Sequence, residues 1–143
     1  RRILVLNRDE AKAGERDAFQ PPELLSVESI MRARQDILRL HLAEELEAYI
    51  VNLVVATRDP GKVDGSLAGQ VMYGASPRAS MGIDRAARAR AWLAGRDYVG
   101  PEDIQAVASD VLRHRIVLSF EAEADGVSEN SVIERLLDSV GVP

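Results

Sequence analysis

The sequence predicts a mainly α-helical bundle of five or six helices with a minimal two-stranded β element. Three observations carry that expectation. Apolar residues recur at three- and four-residue intervals in several separate stretches, the period of one helix face. Proline and glycine punctuate the gaps between them, at Asp59-Pro60-Gly61, Gly95 and Gly100-Pro101, where helices stop or start. The composition is 46% hydrophobic but only 4% aromatic, which suits a core of Leu, Ile, Val and Ala.

Taken in order, Arg1 to Lys12 reads as a short helix with Ile3, Leu4 and Leu6 as its apolar residues. Gly14 to Pro22 is a polar, irregular connection. Ser26 suits the cap of a helix to about Leu40, with Val27, Ile30, Met31, Ile37 and Leu38 at helical spacing. A second amphipathic helix spans about Ala43 to Thr57, its stripe being Leu46, Tyr49, Ile50, Leu53 and Val54. Lys62 to Gln70 is expected as an exposed loop, and Gln70 to Tyr73 as a short strand.

The next helix should run from Pro77 to about Ala94 and close at Gly95. Its alanines suit close helix–helix approach around Ala79, Ile83, Ala86, Ala87, Leu93 and Ala94. Arg90 falls on that apolar face, so it must snorkel out, pair with a carboxylate or meet a neighbouring domain. Pro101 opens another helix, with Glu102 and Asp103 at its positive end; Ile104, Val107, Ala108, Val111 and Leu112 form its apolar face. Arg115 to Ser119 looks extended and able to pair with Gln70 to Tyr73. Ser128 or Ser131 caps a final helix with Val132, Ile133, Leu136, Leu137 and Val140 along one side.

Bulk chemistry narrows the function classes. At 143 residues the chain is long enough for one domain with a real core. A net charge of -5 argues against a general nucleic-acid binder or a ligand for anionic membranes. Lysine occurs only at Lys12 and Lys62, so nearly all positive charge is arginine, from compositional bias or from phosphate recognition. With no cysteine, disulfide and thiol chemistry are excluded, which is compatible with a cytoplasmic location. No apolar run approaches the roughly 20 residues that cross a bilayer. Arg1-Arg2-Ile3 shows neither a signal peptide nor an initiating Met, giving the expectation that the chain begins inside a larger protein.

The main candidate site is Gly74-Ala75-Ser76-Pro77-Arg78-Ala79, a tight turn feeding a helix. Ser76 suits the cap and Pro77 the first helical position. Arg78 then lies in the first turn, where unpaired N–H groups and the helix dipole favour an anion. Its guanidinium can hold two phosphate oxygens at once. The chemistry suggested is phosphate sensing, with Gly74, Ser76 and Pro77 shaping the turn. Arg85 and Arg88, on nearly the same side, would extend a basic strip or remain solvated. No catalytic set is complete: Gly61-Lys62 lacks the glycine spacing, hydroxyl residue and strand of a phosphate loop, and no paired acids end a strand to hold magnesium. His41 and His114 lack partners at metal-ligand spacing, so no metal site is expected. Glu121, Glu123 and Asp125 would share one side of an extended backbone, as a solvated or arginine-paired face.

Three motifs in order, Gly74 to Ala79, Gly95-Arg96-Asp97-Tyr98-Val99-Gly100-Pro101-Glu102-Asp103, and Leu112-Arg113-His114-Arg115-Ile116-Val117-Leu118, resemble the C-terminal lid of MoxR-type AAA+ ATPases. The resemblance covers the chain from about Leu25 onward. Gly100 departs from it, because that family usually has Thr or Ser before Pro-Glu-Asp; glycine remains an acceptable cap. The resemblance implies an AAA+ lid-like fold over residues 23–143, with residues 1–22 as the connection to an upstream ATPase core. It implies that Arg78 is the sensor-2 arginine reaching the γ-phosphate, in a parent that binds ATP and Mg and hydrolyses ATP, a reaction this segment does not perform unaided. It further implies a hexameric ring, chaperone-like maturation of protein complexes, and partners with von Willebrand factor A domains. The competing reading is a stand-alone helical protein-interaction module without nucleotide.

Overall fold

The computed structural model describes residues 25–143, so the expected helix at Arg1 to Lys12 and the connection to Pro22 lie outside the described residues. The structure divides between Arg32 and Ala33. On the first side lies the start of helix α1 (Val27–Arg39), where the Ser26 hydroxyl accepts the Ser29 N–H at 3.1 Å. Glu28 and Arg32 pair across one turn at 3.0 Å. No residue of α1 is buried; Val27, Ile30, Met31 and Leu38, which lie at helical spacing, are all exposed.

The second unit holds the remaining elements: α2 (Glu44–Ala56), two 3₁₀ turns at Pro60–Lys62 and Gly65–Leu67, β1 (Val71–Tyr73), α3 (Arg78–Leu93), α4 (Pro101–Leu112), β2 (Val117–Leu118), α5 (Phe120–Ala124) and α6 (Glu129–Ser139). With α1 this makes six α-helices among the described residues. The expected stripe of α2 is buried throughout, and α6 buries Val132, Ile133 and Leu136.

Helix α3 packs chiefly against α4. Its buried face is Ala79, Ile83, Ala87 and Ala91, spaced by four residues along one row, and α4 buries Ile104, Ala108 and Leu112. Leu93 and Ala94, expected in that row, are exposed. Small side chains let two helix backbones approach closely. Helix α3 ends in a Schellman turn: the Arg96 N–H reaches the Ala91 carbonyl at 3.0 Å and the Gly95 N–H that of Trp92 at 2.9 Å. Gly95 sits at φ 73°, which a β-carbon would resist.

The two strands pair antiparallel, Val71 opposite Leu118 and Tyr73 opposite Val117, with an irregularity between. Ser128 caps α6 by accepting the Ser131 N–H, while the Ser131 hydroxyl accepts the Ser128 N–H in return, so both serines contribute to one capping box.

Two expectations need correction. The stretch from Lys62 to Gln70 is not a simple exposed loop, because Leu67 is wholly buried in the core. Glu121, Glu123 and Asp125 do not lie on extended backbone, because Phe120–Ala124 is helical. The Ser119 hydroxyl caps that turn through the Ala122 N–H at 3.2 Å, and its helix signal outweighs the alternation of acids.

Candidate functional site

The turn before α3 is built against the end of α2. Leaving β1 at Tyr73, the chain passes so close to α2 that a β-carbon on Gly74 would lie 2.6 Å from Arg58 Cα and N and from the Thr57 carbonyl oxygen. Only glycine permits that approach of backbone to backbone. The next residue, Ala75, is fully buried, so both of its backbone polar groups need partners. The Thr57 hydroxyl accepts the Ala75 N–H at 2.8 Å and donates to the Val54 carbonyl at 2.6 Å. Arg58 Nε donates to the Ala75 carbonyl at 3.2 Å.

Beyond this clamp, Ser76, Pro77 and Arg78 are exposed. The Ser76 hydroxyl does not cap the helix as expected. Pro77 stands at the cap with φ -56° and ψ -20° and no side-chain cap bond. Backbone carbonyls replace the hydroxyl: that of Ser76 accepts the Ala79 N–H at 2.8 Å and that of Pro77 the Ser80 N–H at 3.1 Å. Those two N–H groups are therefore not available to an anion, and attraction for one falls mainly on the guanidinium of Arg78. That side chain makes no hydrogen bond or ion pair among the described residues.

The other arginines of α3 divide. Arg85 is exposed. Arg88 is engaged, donating to Asp84 at 2.7 Å and to the Leu40 carbonyl, with 15% of its side chain exposed. The two do not form a basic strip. Arg90 takes the second of its three expected routes and pairs with a carboxylate, that of Asp103, at 2.6 Å.

Asp103 is the electrostatic centre of the bundle. Its side chain is fully buried yet accepts from Arg96 Nη1 at 2.7 Å, Arg96 Nη2 at 2.6 Å, Arg90 Nη1 at 2.6 Å and the Gly100 N–H at 3.0 Å. Burial alone would raise its pKa. The arginine and backbone donors outweigh that, and the carboxyl is lowered from 3.8 to about 2. Asp103 thus serves as more than a favourable charge near the helix start: it joins the last turn of α3, the connector and the first turn of α4.

His114 is exposed, and His41 is tied through its backbone, which accepts the Val99 N–H at 3.0 Å and donates to Asp97 at 3.1 Å. No cluster of three or more His, Cys, Asp or Glu side chains suited to a metal occurs among the described residues. Sequence reasoning passed over Thr57 and Arg58 and left the ionic centre unassembled. A signal for Thr57 existed: it lies four residues beyond Leu53 on the apolar stripe of α2, where a lone hydroxyl needs a partner.

With this geometry in place, likeness to known proteins becomes specific. The family described as the AAA lid domain matches residues 67–136, from the second 3₁₀ turn into α6. A crystal structure of a candidate ATPase from Cytophaga hutchinsonii superposes with a TM-score of 0.85 at 38% identity, over 97% of this chain and 42% of that one. The fold is that of an AAA+ lid domain. Chaperone MoxR1 of Mycobacterium tuberculosis is 42% identical over 125 residues, 87% of this chain and 33% of the relative. Protein MoxR of Methylorubrum extorquens is 47% identical over 78 residues, covering 51% and 23%. The chain belongs to the MoxR family of AAA+ ATPases as its lid domain. It spans about a third of the length of the first of these relatives.

Proposed function

We propose that this lid reads the state of a bound nucleotide through Arg78, in the sensor-2 role. The observation that carries the proposal is one exposed guanidinium, unpaired among the described residues, at the first residue of α3, on a turn held by Gly74, Thr57 and Arg58. A permanently charged group held outside the bundle is suited to a phosphate that other protein holds. In the longer protein, residues 1–22 join this lid, residues 23–143, to an upstream AAA+ core that binds ATP and Mg. The residues of this chain fit that division: Arg78 reaches for the γ-phosphate, and the groups that would hold the metal belong to the core. Neighbouring subunits of a hexameric, cytoplasmic ring border the nucleotide, and clients or von Willebrand factor A-domain proteins are the partners of a chaperone-like cycle.

With ATP bound, Arg78 gains a charge-assisted contact; after hydrolysis it loses that partner. A contact of about 1.5–3 kcal/mol present in one state alone shifts a two-state equilibrium about tenfold or more. The lid then adopts a different angle to the core, which turns phosphate chemistry into domain motion.

In the full-length protein, Arg78→Ala is expected to lower ATP turnover about tenfold or more, the scale of a lost charged hydrogen bond, with an unchanged circular dichroism spectrum. Turnover and ATP-driven closure at the level of the unaltered protein would remove Arg78 from the mechanism.

A further inference from the structure

The sensor turn does not hold itself. It contains no side-chain cap, and its first buried residue, Ala75, takes its N–H partner from Thr57 and its carbonyl partner from Arg58. These are consecutive residues at the end of α2, 18 and 17 positions earlier in the chain. Thr57 is itself fixed, since it is wholly buried and its hydroxyl is spent on Val54 in one direction and Ala75 in the other. Gly74 lies against the same two residues with no room for a β-carbon. Three independent features therefore converge on one point, three residues ahead of Arg78.

We propose that Thr57 and Arg58 are positioning residues for the sensor arginine: they set where α3 begins, and hence where the Arg78 guanidinium stands, without touching nucleotide. The inference rests on the sensor reading of Arg78. Its physical basis is that a charged group acts on a phosphate only within hydrogen-bond reach, and displacement by about 1 Å is enough to lose much of a catalytic contact. Thr57 is a rigid support for this purpose, because a β-branched side chain with both hydrogen-bonding directions used has one rotamer to occupy. Arg58 is exposed as a residue, so its role in the clamp is separable from folding.

The test uses the full-length protein and four variants, Thr57→Val, Thr57→Ser, Arg58→Gln and Arg78→Ala, together with the Thr57→Val/Arg78→Ala pair. Valine keeps the shape and removes the hydroxyl; serine restores the hydroxyl. Thr57→Val is expected to lower kcat for ATP by about threefold to tenfold, the scale of one neutral hydrogen bond, and to speed hydrogen exchange at the Ala75 amide. ADP affinity should stay at the original value, because ADP has no γ-phosphate to sense. Thr57→Ser should recover both kcat and amide protection, and Arg58→Gln should lower kcat in the same direction. In the pair, Thr57→Val should add less than about a twofold loss to that of Arg78→Ala, since residues acting through one contact are not additive.

Lowered turnover for Arg78→Ala alongside original kcat for Thr57→Val and Arg58→Gln would overturn the positioning role and leave the sensor reading standing. So would a Thr57→Val loss that persists in full when Arg78 is already alanine, or that brings an equal loss of ADP affinity, since general damage to the lid does both. Original turnover for Arg78→Ala would instead overturn the sensor reading, and the positioning role with it. If Thr57→Val does not fold, Arg58→Gln and Thr57→Ser decide the matter by the same readouts.

Discussion

Replacing Asp103 with asparagine tests the ionic centre with almost no change of shape. The carboxylate is fully buried and receives four donors, three from Arg90 and Arg96 and one from the Gly100 N–H. Asparagine keeps one acceptor oxygen but brings an NH₂ group toward guanidinium donors and removes the charge. Taking one partner from a buried ion pair costs about 3–5 kcal/mol. Here the arginines retain 24% and 46% side-chain exposure and can turn to water, which reduces the cost to about 2–3 kcal/mol. For a domain of this size that lowers the melting temperature by about 10 °C.

Acid provides the second arm of the same experiment. The folded-state carboxyl lies at about 2, below its ordinary 3.8. A lowered carboxylate contributes stability above its unfolded pKa and loses it as the pH falls through the folded one. The contribution is therefore complete above about pH 5 and lost towards pH 2, and amounts to about 2 kcal/mol. Urea unfolding followed by circular dichroism should show the gap between the original protein and Asp103→Asn narrowing by about that amount from pH 5 to pH 2. Equal stability of the two at pH 7, within about 0.5 kcal/mol, would refute the reasoning.

Two further outcomes can be checked by thermal melting. Gly74→Ala drives a methyl group into the backbone of Thr57 and Arg58 at 2.6 Å; it should cost about 1–3 kcal/mol and, in the full-length protein, lower ATP turnover along with stability. Ser128→Ala removes the hydroxyl that caps α6 at 3.2 Å, and a loss of about 1 kcal/mol is expected, with turnover unchanged because α6 lies outside the turn that carries Arg78.

Periodicity and punctuation made most of the helices legible. Helix α2 begins and ends within a residue of expectation, and α4 and α6 begin at the expected Pro101 and just after Ser128, because each has a continuous apolar stripe and a clear stop or start, such as Asp59-Pro60-Gly61, Gly100-Pro101 or Ser128. The strand pair was legible from two short apolar segments left over between helices. Helix α5 was not, since five residues hold too few turns for a helical period to emerge and Glu121, Glu123 and Asp125 happen to alternate. The buried face of α3 stops short of Leu93 and Ala94 for a related reason: an apolar spacing states which residues can share a face, not whether another element covers it.

The site was half legible. Arg78 stands exposed at the head of α3 as expected, because Pro77 and the glycine turn mark a helix start locally. The support behind it was invisible, since Thr57 and Arg58 meet Ala75 across 18 and 17 residues and no local pattern encodes that meeting. Arg90 shows the intermediate case. A charge on an apolar face announced that some partner must exist, but only the fold could choose Asp103.

The Asp103 latch has a mechanical consequence. It fastens the far end of α3 to α4 through Arg90 and to the connector through Arg96, while Arg78 sits at the opposite tip. Helix α3 has 16 residues, about 24 Å at 1.5 Å per residue. Helices α3 and α4 are thus fastened together at the end remote from Arg78, and under the proposed sensor role a pull on that tip would be carried by both helices together.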